Sequence, residues 1–89
     1  MAELVASWVL TVHAVLEMER RGIDEQTVEE VLRTPEQRIT VRAGREVLQR
    51  RISIAGVVYV VRVFVDTDRV PAEVVTVYRS SKIAKYWRP

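Results

Sequence analysis

The stretch "VVYVVRVFV", residues 57–65, decides how this chain must fold. β-Branched and aromatic residues fill it, and Arg62 is its only charged residue. A strand that is apolar on both faces reads as an internal strand, covered on both sides. Ala55-Gly56 before it is a turn, and "EVLQRRISI" at 46–54 before that turn is a second strand. Ala43-Gly44 makes a further turn behind "RITVR" at 38–42, which alternates with the period of two that strands require. Downstream, "DTDRVPA" turns the chain into a fourth strand, "EVVTVYR" at 73–79. Connections this short join antiparallel neighbours, so the four strands form a meander.

Upstream of Pro35 the period is 3.6. Positions 4, 5, 8, 9, 12, 15 and 16 are Leu, Val, Trp, Val, Val, Val and Leu, a helical stripe. Residues 4–11 are also rich in strand-formers, and Thr11 is able to cap a helix that starts only there. The spacing predicts a helix over about 11–21, with residues 3–10 as its extension. Gly22 sits where a left-handed C-terminal cap belongs. Asp24 is a good N-cap for a second helix, whose stripe is Val28, Val31 and Leu32, and Ile23 is placed to staple onto Val28. Thr34-Pro35 ends it. Each element leaves an apolar face that the other must cover. The expected fold is therefore α+β: one domain over residues 1–89, with an N-terminal helical hairpin packed on a four-stranded antiparallel sheet.

Composition narrows the class. A chain of 89 residues with 48% hydrophobic and 29% charged residues is that of a single soluble globular domain. No apolar run approaches the roughly 20 residues that span a bilayer, so no membrane contact is expected. No secretory signal is visible, and a cytoplasmic location is expected. With no cysteine and one histidine, neither a disulfide framework nor an intrachain zinc site is available, so no metal or cofactor is expected. The net charge of +2 is unevenly laid out. Residues 17–36 are acidic, whereas 38–51 and the tail from Arg79 are basic. Such a layout fits a polyanion at one surface, or charges that are simply solvated.

Three constellations carry candidate chemistry. His13 and Glu17 lie four residues apart on a helix and are able to touch, and Arg21 follows two turns from His13 on roughly the same face. That row suits phosphodiester chemistry on RNA, which carries its own 2′-hydroxyl nucleophile. One group moves protons and a guanidinium stabilises the phosphorane. The same spacing also describes a half-buried histidine bonded to a carboxylate, beside ordinary ion pairs. Arg62, alone in its apolar strand, needs a partner or a ligand; Glu46, Asp66 and Glu73 are the candidate partners. Tyr78, Tyr86 and Trp87 stand near Lys82 and Lys85, as in readers of single-stranded RNA, or they pin the C-terminus to the core.

"HAVLEMERRGIDEQTVEEVLRTPE" at 13–36, followed by "VVTVYRSSKIAKYW" at 74–87, resembles the bacterial domain-of-unknown-function family 4258. That family is itself similar to toxins of the RelE/ParE and BrnT type, small RNA-cleaving proteins paired with an antitoxin. His13, Arg21 and Gly22 match the helical motif, and Thr76, Val77 and Tyr78 match the closing strand. Glu17 departs from it, since family members commonly carry an arginine there; Arg20, one turn on, is positioned to replace that cation. The resemblance implies a RelE-like fold and a metal-independent endoribonuclease acting on mRNA. In that reading His13, Arg21 and Arg62 are catalytic, and Arg20, Tyr78, Lys82 and Lys85 hold RNA. The implied partners are an antitoxin protein and RNA, with a homodimer as a further option. The alternative is a non-catalytic protein- or RNA-binding module of the same fold.

Overall fold

The structure, a computed structural model, describes residues 7–89. Its elements in chain order are β1 (Trp8–Leu10), α1 (Val12–Arg21), α2 (Glu25–Arg33), β2 (Gln37–Arg42), β3 (Arg45–Ile54), β4 (Val57–Asp66), β5 (Ala72–Ser80) and α3 (Ile83–Tyr86). The sheet has five strands in the order β1-β5-β4-β3-β2. From β2 to β5 it is the expected antiparallel meander, with β4 internal. The domain is therefore mixed α+β, with a five-stranded sheet and three helices.

Two expectations need correction. Trp8 to Leu10 are not the start of the helix; they form a strand that pairs parallel with Ala72 to Val74. The sheet is consequently five-stranded and mixed rather than four-stranded and antiparallel. Residues 4 and 5 of the expected stripe lie outside the described residues. The local strand preference of residues 8–10 prevails because β5 offers an unpaired edge there. The second correction concerns the helical hairpin. α1 lies against β5, while α2 lies against β3 and β4, so the two helices share one sheet face side by side.

The local signals around those helices hold. Thr11 caps α1, its hydroxyl accepting from the Ala14 N–H at 3.1 Å. Asp24 caps α2 in the same way through the Thr27 N–H at 2.8 Å. Gly22 closes α1 with φ 65°, a left-handed conformation in which a Cβ would be strained, and its N–H returns to the last helical turn.

The two faces of the sheet differ sharply. Toward the helices, Leu48, Val61, Val63, Val65, Val74 and Val77 join Ala14, Met18, Ile23, Val28, Val31 and Leu32 in one apolar core. Strand alternation points the other residues of β3 and β4 the opposite way. On that second face Val47, Gln49 and Val60 are also fully buried, yet they stand apart from the core cluster. The C-terminal segment lies on the sheet as well: α3 rests against β4, and its end is bound by the side-chain amides of Gln49 and Gln37.

Candidate functional site

The second face is organised around Arg62. Strand pairing sets Arg62 opposite Gln49 on β3 and opposite Tyr78 on β5. Its Nε–H donates to Gln49 Oε1 at 2.8 Å, and one terminal N–H donates to the Tyr78 hydroxyl. The guanidinium lies 4.7 Å from the Tyr86 ring centre, 5.4 Å from that of Phe64 and 5.5 Å from that of Tyr78. These are cation–π distances. The rings also touch one another, Phe64 on Tyr78 stacked at 5.8 Å and Tyr78 on Tyr86 edge-on at 5.8 Å.

No carboxylate of the described residues pairs with Arg62. The three acids within reach by sequence are engaged elsewhere: Glu46 with Arg38, Asp66 with Arg45, and Glu73 with Arg69. A half-buried cation without a counter-charge is a costly arrangement that a bound anion would relieve. Its second terminal nitrogen has no hydrogen-bond partner among the described residues.

Gln49 holds the cluster in place. It is 0% exposed, and besides accepting from Arg62 it donates to Gln37 Oε1 at 2.7 Å and to the Tyr86 carbonyl at 3.1 Å. Gln37 extends the chain, donating to the Arg88 carbonyl at 2.6 Å and accepting from the Arg88 N–H at 3.1 Å. Each of the two side-chain amides is bonded through both its oxygen and its nitrogen, so a polar line from buried Gln49 out to exposed Arg88 ties down the tail. Sequence reasoning missed both glutamines. For Gln49 the available signal was a neutral amide between Leu48 and Arg50 in the middle of a strand; Gln37, at the start of β2, gave none.

Arg21 reaches this cluster from the sheet edge. β1 pairs with β5 only up to Val74, which leaves the later backbone of β5 open. Arg21 covers it, donating to the Val77 carbonyl at 3.0 Å, with its guanidinium 5.6 Å from the Tyr78 ring centre. Arg21, Arg62 and Tyr78 are thus brought together. Lys85 joins them at the rim, 5.4 Å from the Tyr86 ring centre, while Lys82 is exposed at the start of α3.

His13 and Arg20 are not brought to this cluster. His13 lies at the start of α1 with its side chain 66% exposed, and its one charged neighbour is Glu17 at 3.8 Å. Eight residues of helix separate it from Arg21, about 12 Å along the axis. Arg20 is 70% exposed and rests 3.3 Å from Glu17. Glu17 is the hub of this row and stands within 4 Å of His13, Arg20 and Arg21.

Ion pairs frame the site on its β3 side. Arg51 donates to both carboxylate oxygens of Glu36 at 3.2 and 2.9 Å and stacks at 4.4 Å on Trp87. Those guanidinium bonds, helped by the Arg51 backbone N–H, hold the Glu36 carboxyl down to about 2. Hydrogen bonds from Arg45 likewise hold Asp66 below the usual carboxylate range. Trp87 is half-buried, so the tail is anchored and its lysines are free at the same time.

This is a small α+β fold whose sheet carries α1 and α2 on one face and, beneath α3, an aromatic-lined cation without a carboxylate partner among the described residues on the other. The profile of the family described as Domain of unknown function (DUF4258) matches residues 10–79, and the chain belongs to that family. No curated protein and no solved structure matches the chain. Among the described residues no helix is long and apolar enough to cross a membrane, and no group of three or more metal-binding side chains is present.

Proposed function

We propose that the second face of the sheet binds single-stranded RNA, and that the protein is a toxin-type endoribonuclease of a bacterial toxin–antitoxin pair. The observation that carries this reading is Arg62, a half-buried guanidinium with an aromatic lining and no carboxylate partner. A phosphodiester would take the free terminal nitrogen of Arg62, with Arg21 beside it as a second cation. A planar guanidinium fits two phosphate oxygens at once. Neighbouring bases would stack on Tyr86, which faces the rim.

The Tyr78 hydroxyl already accepts a hydrogen bond from Arg62, so its own O–H remains available for donation. In a cleavage reaction the RNA 2′-hydroxyl attacks the adjacent phosphorus and loses its proton to a solvent water. The P–O5′ bond breaks and the 5′-oxygen takes up a proton. In this reading Tyr78 would donate that proton, and Arg62 and Arg21 would stabilise the charge on the phosphorane. The products are a 2′,3′-cyclic phosphate and a 5′-hydroxyl. The reading also draws on the similarity of the family to RelE/ParE and BrnT toxins, with an antitoxin as the protein partner.

One observation favours the second reading, a non-catalytic RNA-binding module. Neither an imidazole nor a carboxylate is among the contacts of Arg62, so no conventional base stands ready for the 2′-hydroxyl proton. Labelled single-stranded RNA, offered with and without a 2′-deoxy substitution, separates the two. Cleavage that needs the 2′-hydroxyl and is lost in Arg62→Ala and Tyr78→Phe establishes the enzyme. Binding without cleavage, lost in Arg62→Ala, establishes the module. RNA that is neither bound nor cut refutes both.

A further inference from the structure

The cations of this molecule fall into two sets. Those of α1, α2, β2 and β3 nearly all face acids: Arg20, Arg21, Arg33, Arg38, Arg45, Arg50 and Arg51 each stand within 4 Å of a carboxylate. From β4 onward, Arg62, Arg79, Lys82, Lys85 and Arg88 have no such partner among the described residues, and Arg69, in the turn before β5, alone does. Within the sheet strands of this second set, Arg79 is the cation that lies outside the Arg62 cluster.

Arg79 pairs with Val61 in the ladder, so its side chain leaves the sheet on the helix-covered face, opposite to its neighbour Tyr78. There its guanidinium stacks on the Tyr59 ring at 4.6 Å. It also lies beside the end of α1: a Cβ placed on Gly22 would stand 3.7 Å from its terminal nitrogen. Gly22 adjoins Arg21, and Arg21 bends around the open edge of β5 to the Tyr78 ring. A continuous line of cations and rings therefore runs from Tyr59 and Arg79 on one face, over the β5 edge at Arg21, to Tyr78, Arg62 and Tyr86 on the other.

We infer that this line is an extended path for a single RNA strand, with Arg79 and Tyr59 forming a second phosphate-and-base subsite beyond the β5 edge. The inference rests on the reading of the second face as an RNA site and adds to it a direction and a minimum length. A guanidinium laid on an aromatic ring leaves its edge free for a phosphate, and the ring beside it offers a surface for a base. The chain edge between the two subsites is narrow, because β5 there has no further strand beside it. A strand of nucleotides wraps such an edge more readily than a duplex does, since a duplex is a stiff rod over this distance.

The test uses two RNAs, a dinucleotide and a single-stranded decamer, with the full chain and its Arg79→Gln variant. The dinucleotide fills only the Arg62 subsite, so Arg79→Gln should leave its affinity unchanged. The decamer reaches both, and Arg79→Gln should weaken it by roughly two- to fivefold, the scale of one exposed charge pair. The same variant should reduce the slope of log affinity against log salt by about 0.7, the value of one phosphate contact on a single strand. Arg79→Lys, which keeps the charge, should preserve most of that slope and shows whether the fold survives change at this position. An Arg79→Gln protein that binds the decamer like the wild type overturns the inference. So does one that loses both RNAs equally, because Arg79 would then act through the Arg62 subsite. If the wild type binds neither RNA, the reading of the second face falls and the path falls with it.

Discussion

Leu48 and Gln49 are neighbours on β3, and both are 0% exposed. Their side chains leave the sheet in opposite directions. Leu48 enters the apolar core under the helices, and Gln49 enters a line of hydrogen bonds under the tail. The contrast lies in what holds each face together. An apolar face is held by area and volume and tolerates similar shapes. The polar face is held by geometry, because each donor there has one acceptor at one distance. The first is a means of staying folded. The second fixes the position of a cation, which is what a recognition site requires.

That contrast breaks first under truncation. Leu48→Ala should cost about 2–5 kcal/mol, as large-to-small core changes do. Gln49→Ala should cost about 1–3 kcal/mol, for the Arg62, Gln37 and Tyr86 groups left without partners. For a domain of this size each kcal/mol lowers the melting temperature by roughly 4–8 °C. Denaturant unfolding of both variants measures the two costs. The qualitative difference is sharper than the size. Gln49→Ala should release residues 83–88 to hydrogen exchange and weaken any RNA binding, whereas Leu48→Ala should do neither at temperatures where it is folded. If Leu48→Ala frees the tail as fully as Gln49→Ala does, the two faces are one cooperative unit and the contrast fails.

Much of the helix-covered face was legible in the sequence. Val28, Val31 and Leu32 announced themselves by period, and Asp24, Gly22 and Thr34-Pro35 by their chemistry as caps and stops. The strand at 8–10 was not, for a physical reason. Its partner, β5, lies more than sixty residues away, and its apolar positions continue the period of the helix that follows it. Local patterns carry no information on such a distant pairing. Arg62 was legible because it is the one charge in an apolar strand. Its surroundings were not, since Gln37, Gln49 and the tail meet only after the sheet has formed. Residue type drew attention to His13 and Arg20 as well, and for these the fold supplies a Glu17 hub instead of a place near Arg62.

A smaller effect sharpens the contrast through pH. Glu36 is held at about 2 in the folded chain against an ordinary 4.5. A carboxyl depressed in this way stabilises the fold fully above its unfolded value, and that contribution is lost as the pH falls from 4.5 through about 2. Because Arg51 bridges Glu36 to the Trp87 ring, acid should loosen the tail before the core. The indole resonance of Trp87 should therefore shift across that window while core methyl resonances stay put. In Glu36→Gln it should sit near its shifted position already at pH 7. Core and tail signals moving together would show that no separate unit exists.

The smallest expected effect concerns the residue that the sequence makes most conspicuous. His13 is the only imidazole in the chain, and an imidazole is a natural proton carrier near neutral pH. Its side chain is 66% exposed and its one charged neighbour stands at 3.8 Å, too far for a hydrogen bond. Removal of such a side chain leaves no cavity and strands no buried partner, so His13→Ala should change stability by less than about 0.5 kcal/mol. If the RNA site is the second face, the same variant should also bind RNA with unchanged affinity, and any cleavage should persist within about twofold. Should RNA cleavage by the wild type occur and His13→Ala lower it by the 10²–10⁴-fold typical of a lost general acid or base, the reacting phosphate must lie on α1 instead. The Glu17 hub would then be the carboxylate that orients the imidazole, and Arg20 and Arg21 the cations that receive the phosphate. Arg62→Ala measured beside it decides which constellation is the site. A loss confined to Arg62→Ala assigns the chemistry to the second face, and a loss confined to His13→Ala assigns it to the helix.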